Sequence, residues 1–423
     1  MSSSSLQLTG TLCMLYFLQG IPYGVQAKAL PLYYHNVLGY TIMSVTKLYL
    51  LMTPWIFLKP IAGYFIKSQK DAKSAILVGL VVNFVVNSLL FFPSPKSYWG
   101  NIFVLFALFF VNCLVVLIDA ATDLLAISSA NSTNDIKHLS VANLIQIVSY
   151  KCGAIFGGST LVILGFNNLH SMFLIVGIIY LFAALTFRIF YSSETHNSPH
   201  IESTEPNTTS SIYKLISTLS VQGTTPLLVF VFIYKFGEIA SGSLYPILLT
   251  QQKLSSENVT FLTSIISEVL SLLGSFSGGF FWSAVKPVSP IQMLVKYLLS
   301  LSVLRVIPLA LQVVSINYSA NLFPMAILST SMLSYFGGCV STLTFTLMMS
   351  VSCKAPDNLK GFHYSIVSAF EVCGKLFFAS FAGTMFNCFG LNKSYFLFCA
   401  FTFIASSVLF VSRNKFILKP KEQ

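Results

Sequence analysis

Apolar residues fall along this chain in long unbroken stretches, not in alternation. Such stretches run near residues 8–30, 43–66, 75–93, 101–127, 140–165 and 169–191, and again near 225–250, 258–284, 290–313, 321–350, 361–389 and 393–411. Crossing the ~30 Å hydrocarbon layer of a bilayer takes about 20 apolar residues of helix. Backbone groups in lipid must be satisfied internally, which leaves helices or a closed barrel. Barrel strands would read as alternating segments of about ten residues, and these stretches are too long and too continuous. The pattern predicts an all-α integral membrane protein with twelve transmembrane helices. The stretches near 101–127, 321–350 and 361–389 are longer than a span requires, so tilt is expected there.

Polar residues punctuate the middle of the chain. The interval 192–211, rich in Ser, Thr, Asn and Pro, has no apolar run and reads as a flexible linker between two blocks of six spans. This gives a 6+6 organisation: an N-terminal half at 1–191, a cytoplasmic linker at 192–222 and a C-terminal half at 223–423. The fifth span of each half also carries a related string, Ile147-Val148-Ser149 with Cys152-Gly153 and Ile366-Val367-Ser368 with Cys373-Gly374. Duplicated transporter folds show such weak internal likeness, and here it predicts halves related by a pseudo-two-fold axis along the membrane normal.

Composition agrees: 55% of residues are hydrophobic and 9% charged, against roughly 25% charged in soluble domains. The Ser-rich, uncharged opening, Met1 to Gln7, lacks the basic region of a cleavable signal peptide, so the first stretch is read as a retained span. The net charge of +11 is explained by its placement. With both termini cytoplasmic, fourteen Lys and Arg residues, among them Lys67, Lys70, Lys73, Arg188, Lys286 and Arg413, fall inside, and four (Lys47, Lys96, Lys253, Lys393) fall outside. That asymmetry follows the positive-inside rule and points to no nucleic-acid partner. The eight cysteines lie scattered in apolar runs without metal-ligand spacing, so neither a metal nor a cofactor is expected.

Eleven ionisable residues lie within the spans: Lys28, Lys59, Asp119, Asp123, Lys151, Lys235, Glu238, Glu268, Arg305, Glu371 and Lys375. Each costs about 2.5–3.5 kcal/mol at a helix centre unless paired or hydrated. Lys59 is near enough to a span end to snorkel. Lys235 and Glu238 are spaced i,i+3 and Glu371 and Lys375 i,i+4, so each pair shares a helix face. Asp119 and Asp123, at i,i+4, place like charges together; either one keeps a proton or a cation intervenes, with Lys151 the expected cation. Glu268 is expected near Arg305. Such pairs serve equally as fold-fixing bridges or as gates and proton sites.

The first span carries Gln19-Gly20-Ile21-Pro22-Tyr23-Gly24, followed by Gln26 and Lys28. Proline flanked by glycines reads as a kink or as a broken helix facing a cavity. Lys28, with no acid on its own helix, is expected either to meet a substrate carboxylate or phosphate, with Gln26 and Tyr23 beside it, or to snorkel outward. The glycine pairs Gly157-Gly158, Gly278-Gly279 and Gly337-Gly338 read as close helix contacts.

Together these strings resemble one branch of the major facilitator superfamily, that of the AmpG-type muropeptide permeases and acetyl-coenzyme A transporters. Tyr16 to Gly24 resembles its first helix, and Asp119-Ala120-Ala121-Thr122-Asp123 its acidic fourth. Asn143 to Gln146 with Ser149 to Ala154 resembles the fifth, Tyr234-Lys235-Phe236-Gly237-Glu238 the seventh, and His363-Tyr364-Ser365 with Glu371 and Gly374-Lys375 the eleventh. The loop from Gly63 to Lys73 departs from the superfamily's usual gating pattern, with Lys67 where an acid is common. The resemblance implies alternating access between two halves, proton-linked or facilitative.

The resulting expectation is a monomeric secondary transporter of a small organic solute, an anionic one included, in a lipid bilayer, with protons as a coupling ion. An intramembrane enzyme or a solute-sensing receptor is the alternative. Gln19, Tyr23, Gln26, Lys28 and His363 are expected at the substrate. Asp119, Asp123, Lys151, Lys235, Glu238, Glu268, Arg305, Glu371 and Lys375 are expected in proton coupling or gating, with Glu238 and Glu371 as the proton carriers.

Overall fold

The computed structural model describes residues 3–66, 68–131, 136–165, 168–192, 220–284, 290–318, 322–352, 354–355 and 360–416, and all regular structure among them is helical. The first rod comprises α1 (Ser3–Gly24), a π-helical turn (Val25–Ala29) and α2 (Leu30–Asn36). The second comprises α3 (Ile42–Thr46), a 3-10 turn (Lys47–Met52) and α4 (Pro54–Phe65). Single rods follow: α5 (Gln69–Leu89), α6 (Tyr98–Asn131), α7 (Ile136–Leu164) and α8 (Leu169–Ser192). After the interval 193–219, which holds most of the expected linker and lies outside the described residues, come α9 (Thr224–Ile233) and α10 (Phe236–Gln251). The next rod is α11 (Ser256–Thr260), a π turn (Phe261–Ile266) and α12 (Ser267–Ala284). Then come α13 (Pro290–Leu304), α14 (Val306–Asn317), α15 (Leu322–Ser352) and α16 (Lys360–Phe416).

Local chemistry sets several of these boundaries. Ser68 and Asp71 close a capping box at the start of α5, each side chain accepting the other's backbone N–H. Gly390 interrupts α16 with φ 73° and ψ 179°, so this element is two helices meeting at a glycine, as expected from the two separate apolar stretches. Pro22 does not unwind the first rod. Its missing N–H frees the Leu18 carbonyl, which accepts a hydrogen bond from the Tyr180 hydroxyl at 3.0 Å. The disturbance emerges one turn later as the π turn that carries Gln26 and Lys28.

The packing falls into two groups that repeat one pattern. In the first, α1 lies against α7, α4 against α6, and α5 against α6 and α8. In the second, α9 and α10 lie against α16, α12 against α15, and α13 and α14 against α15 and α16. One contact repeats at atomic level. A Cβ on Gly153 would strike the Phe17 carbonyl, and a Cβ on Gly374 would strike the Phe232 carbonyl. The two Cys-Gly strings thus do the same work, each letting its helix seat on the first helix of its group. Gly20, Gly24 and Gly157 extend the contact between α1 and α7, where backbones touch without room for a side chain.

The groups meet along two seams. In one, α16 runs beside α3, the 3-10 turn and α4; in the other, α7 runs beside α11, the second π turn and α12. Asn36 Nδ2 donates to Ser256 Oγ at 2.9 Å where the turns after α2 and α10 meet.

The exterior is inverted relative to a soluble protein. Phe92, Trp99, Phe182, Phe396 and Val411 are each more than 70% exposed, while Asp119, Glu268, Arg305 and Glu371 are buried. Eight helices among the described residues are long and apolar enough to cross a membrane. The last of them, at 54 residues, is about 80 Å long, enough for two crossings. The protein is a multi-pass membrane protein. The rods built on α1, α4 and α7 are not among the eight, and these carry Gln19, Gln26, Lys28, Lys59 and Lys151.

Candidate functional site

All eleven ionisable residues expected within spans are ion-paired, in four clusters. In the first, Lys59 of α4 reaches two turns of α6, with Nζ 2.7 Å from Asp119 Oδ2 and 3.0 Å from Asp123 Oδ2. The Tyr16 hydroxyl donates to Asp123 Oδ1 at 3.2 Å. A cation does intervene between the acids, but it is Lys59 and not Lys151. The second rod packs directly on α6, so Lys59 points inward instead of snorkelling.

Lys151 of α7 faces the opposite way. Its Nζ lies 3.1 Å from Glu268 Oε2 and donates to Ser271 Oγ at 2.7 Å. Lys28 Nζ lies 3.4 Å from the other oxygen of Glu268 and donates to the Thr263 carbonyl at 3.0 Å. Lys28 is therefore neither free nor snorkelling, because the α7 seam brings α12 alongside the first π turn. This second cluster joins the two groups of helices.

The third cluster sits where two helices break. Lys235 separates α9 from α10, and Arg305 separates α13 from α14. Arg305 donates to Glu238 Oε2 at 3.1 Å and to the Tyr234 carbonyl at 2.6 Å, capping the end of α9. Glu268 is thus not the partner of Arg305; Glu238 is, with Lys235 3.6 Å away as the i,i+3 spacing predicts. Gly337 makes room for this carboxylate, since a Cβ there would overlap it. In the fourth cluster, Lys375 meets Glu371 at 2.5 Å across one helical turn, and the Tyr234 hydroxyl donates to the same oxygen at 2.6 Å. Tyr234 thereby ties the third cluster to the fourth.

The uncharged expectations divide. Tyr23 packs beside Tyr150, the rings tilted by 39° with centroids 5.8 Å apart. Tyr150 adjoins Lys151 in the chain, which sets this pair of rings beside the second cluster. Gln19 Nε2 donates to Thr122 Oγ1 at 3.4 Å. Gln26 is fully buried and is held by Asn112 Nδ2 at 2.7 Å, while Asn112 also accepts from Trp55 Nε1 at 3.3 Å. That makes Gln26 a strut between the first, second and fourth rods through its carbonyl oxygen, while its buried Nε2 has no hydrogen-bond partner among the described residues. His363 is enclosed as well. It is 0% exposed, with Nε2 2.8 Å from Thr224 Oγ1 and Nδ1 2.8 Å from Ser352 Oγ. Both ring nitrogens are engaged, so it links α9, α15 and α16.

Residues that sequence reasoning passed over include Asn112, Ser271 and Tyr150. Tyr150 adjoins Lys151 in the Ser-Tyr-Lys string and could have been found there. Asn112 stands alone among apolar residues, the one hint of its role. Among the described residues, no group of three or more His, Cys, Asp or Glu converges as a metal site would require.

No family model matches the chain. Solved transporters share its fold. The D-xylose-proton symporter superposes with a TM-score of 0.70 at 14% identity, covering 100% of both chains. A POT family transporter solved with 5-aminolevulinic acid gives 0.72 at 14%, covering 97% of this chain and 96% of that one. The nucleoside transporter NupG gives 0.64 at 13%, covering 97% and 100%.

Proposed function

We propose that this chain is a secondary transporter of the major facilitator type, moving a small organic solute by alternating access between two six-helix halves, 1–191 and 223–423. One observation carries the reading. Eleven ionisable residues are kept inside an apolar exterior, all paired, and one cluster, Lys28–Glu268–Lys151, bridges the two groups of helices. Buried charge of this extent costs stability that an apolar core would not, and a pathway through the bilayer is its natural use. The shared fold supports the reading, since the similar structures are a nucleoside transporter, a sugar-proton symporter and a POT family transporter.

The finer points are part of the same proposal. Twelve spans fit the rods described, with both termini and the linker on the cytoplasmic face by the placement of Lys and Arg. The charged strings resemble those of the AmpG and acetyl-coenzyme A transporter branch, the pattern of major facilitator superfamily domain-containing protein 3 included, and support membership of that branch. Tyr23 and Lys28 face the solute, with Gln19 behind them. Protons are the coupling ion, carried by the acids of the first, third and fourth clusters: Asp119 and Asp123, Glu238, and Glu371. The protein works as a monomer, with the lipid bilayer and its solute as partners.

The test begins with small-metabolite profiles of cells with and without the protein. A solute class whose level shifts is then offered, labelled, to proteoliposomes holding a pH-sensitive dye. Saturable, protein-dependent uptake with proton entry is expected. Unchanged profiles together with no protein-dependent flux would sink the transport reading.

A further inference from the structure

Lys28 and Lys151 belong to the first group of helices, and Glu268 belongs to the second. One carboxylate answers two ammonium groups, at 3.4 Å and 3.1 Å, and leaves the cluster with a net positive charge. The lysines are fixed relative to each other. The rods that carry them touch backbone to backbone at Gly20, Gly24, Gly153 and Gly157. The rod of Glu268 meets α7 at the seam between the groups, where the close contact of Gly158 is with the Ser264 side chain and not with backbone.

On the alternating-access reading above, on which this inference rests, motion that parts the seam withdraws the carboxylate from both lysines at once. The lysines stay side by side. Two bare ammonium groups at that depth cost several kcal/mol. A replacement anion removes that cost, and Glu268 shows what shape it takes: an oxyanion with one oxygen toward each lysine.

We propose that Lys28 and Lys151 form a binding site for the oxyanion of a small organic acid, a carboxylate or a phosphate, and that Glu268 is its resident competitor, filling the site whenever the solute does not. The surroundings suit an organic acid better than a bare ion. Tyr150, next to Lys151 in the chain, has its ring 5.8 Å from that of Tyr23, and the pair supplies aromatic surface for the body of the solute. Ser271 Oγ, bonded to Lys151, and the Thr263 carbonyl, bonded to Lys28, sit on the same rod as Glu268 and leave with it, so both ammonium groups lose these contacts together with the carboxylate. The other neighbour of α12, α15, carries no acidic or basic residue, and its Tyr335 and Cys339 pack on Gly274 and Gly278. Among the described residues, Glu268 is the carboxylate ion-paired with either lysine.

The test is equilibrium binding to the full-length protein in nanodiscs, followed by thermophoresis. The probes are acetate, succinate, benzoate and glucose 6-phosphate at matched ionic strength, with acetamide and glucose as neutral counterparts. At least one acid is expected to bind where its neutral counterpart does not; a carboxylate and the phosphate ester in separate arms tell the two sources apart. Glu268→Gln, nearly isosteric, is expected to tighten that binding roughly tenfold by removing the competing charge-assisted contact. In the Glu268→Gln background, where no carboxylate is left unpaired, Lys28→Gln and Lys151→Gln are each expected to abolish it. Binding unchanged by Glu268→Gln, binding that survives either lysine replacement, or no acid binding to either protein would overturn the site. An acid that binds in the expected pattern yet never crosses proteoliposomes would overturn the transport reading and leave the site standing. An acid carried across but indifferent to Lys28 and Glu268 would do the reverse.

Discussion

Lys59 Nζ stands 2.7 Å from Asp119 Oδ2, and this one contact decides how two adjacent acids on α6 coexist. With Asp123 a further 3.0 Å contact, the lysine serves both carboxylates and the cluster carries one net negative charge.

Removing that lysine should therefore be costly in a way a second change can relieve. Lys59→Met is expected to destabilise the protein by about 2–3 kcal/mol. That is below the ~3–5 typical of fully buried pairs, because Lys59 and Asp123 each keep 26% exposure and are partly hydrated. Adding Asp119→Asn removes the like-charge conflict and is expected to recover more than half of the loss. Thermal unfolding in detergent, with a ligand-free reference, measures both; equal stability of the single and double variants would refute the arrangement.

The repeated glycine contact makes a matched prediction in the two groups. Gly153→Leu and Gly374→Leu each drive a side chain into a facing backbone carbonyl, so both should lose most folded protein in fluorescence size-exclusion profiles. Gly242→Leu is the control: nothing lies within 4 Å of a Cβ there, and its profile should match the parent. A well-folded Gly374→Leu with a failed Gly153→Leu would mean that the two contacts are not equivalent.

His363 holds α9, α15 and α16 together through Thr224 and Ser352, so its replacement should be felt in stability and not in solute recognition. His363→Phe leaves two buried hydroxyls without their partner, at about 1–3 kcal/mol each. The unfolding midpoint should drop by several degrees while the solute KM stays within twofold. A KM raised tenfold at unchanged stability would return His363 to the substrate.

The seam at Asn36 and Ser256 offers a direct test of motion. In a background without native cysteines, Asn36→Cys with Ser256→Cys places two thiols where the side chains now meet at 2.9 Å. Cross-linking by a short bis-methanethiosulfonate, which forms a disulfide with each cysteine and releases sulfinate, should stop transport, and reduction of those disulfides should restore it. Full activity in the cross-linked protein would show that this end of the molecule does not open.

Sequence alone determined the class of this protein, its inventory of charges and two of its pairings. Long apolar stretches admit only helices in lipid, so the rods and their approximate ends were legible. Lys235 with Glu238 and Glu371 with Lys375 were legible too, because helical spacing puts i,i+3 and i,i+4 side chains on one face whatever surrounds them. The Cys-Gly strings likewise hinted at a repeat that the Phe17 and Phe232 carbonyl contacts make physical. Every pairing between rods was decided by the tertiary structure. Lys59, not Lys151, answers Asp119, and Glu238, not Glu268, answers Arg305. Lys28 looked partnerless only because its acid is on a helix of the other group. A charge within an apolar helix announces that it must have a partner, since lipid solvates it poorly. Nothing in its own stretch says which neighbour the rod will meet, because that depends on rotation about the helix axis and on which small residues let two backbones close. Those are properties of the packed bundle, and they turn a list of charges into a site.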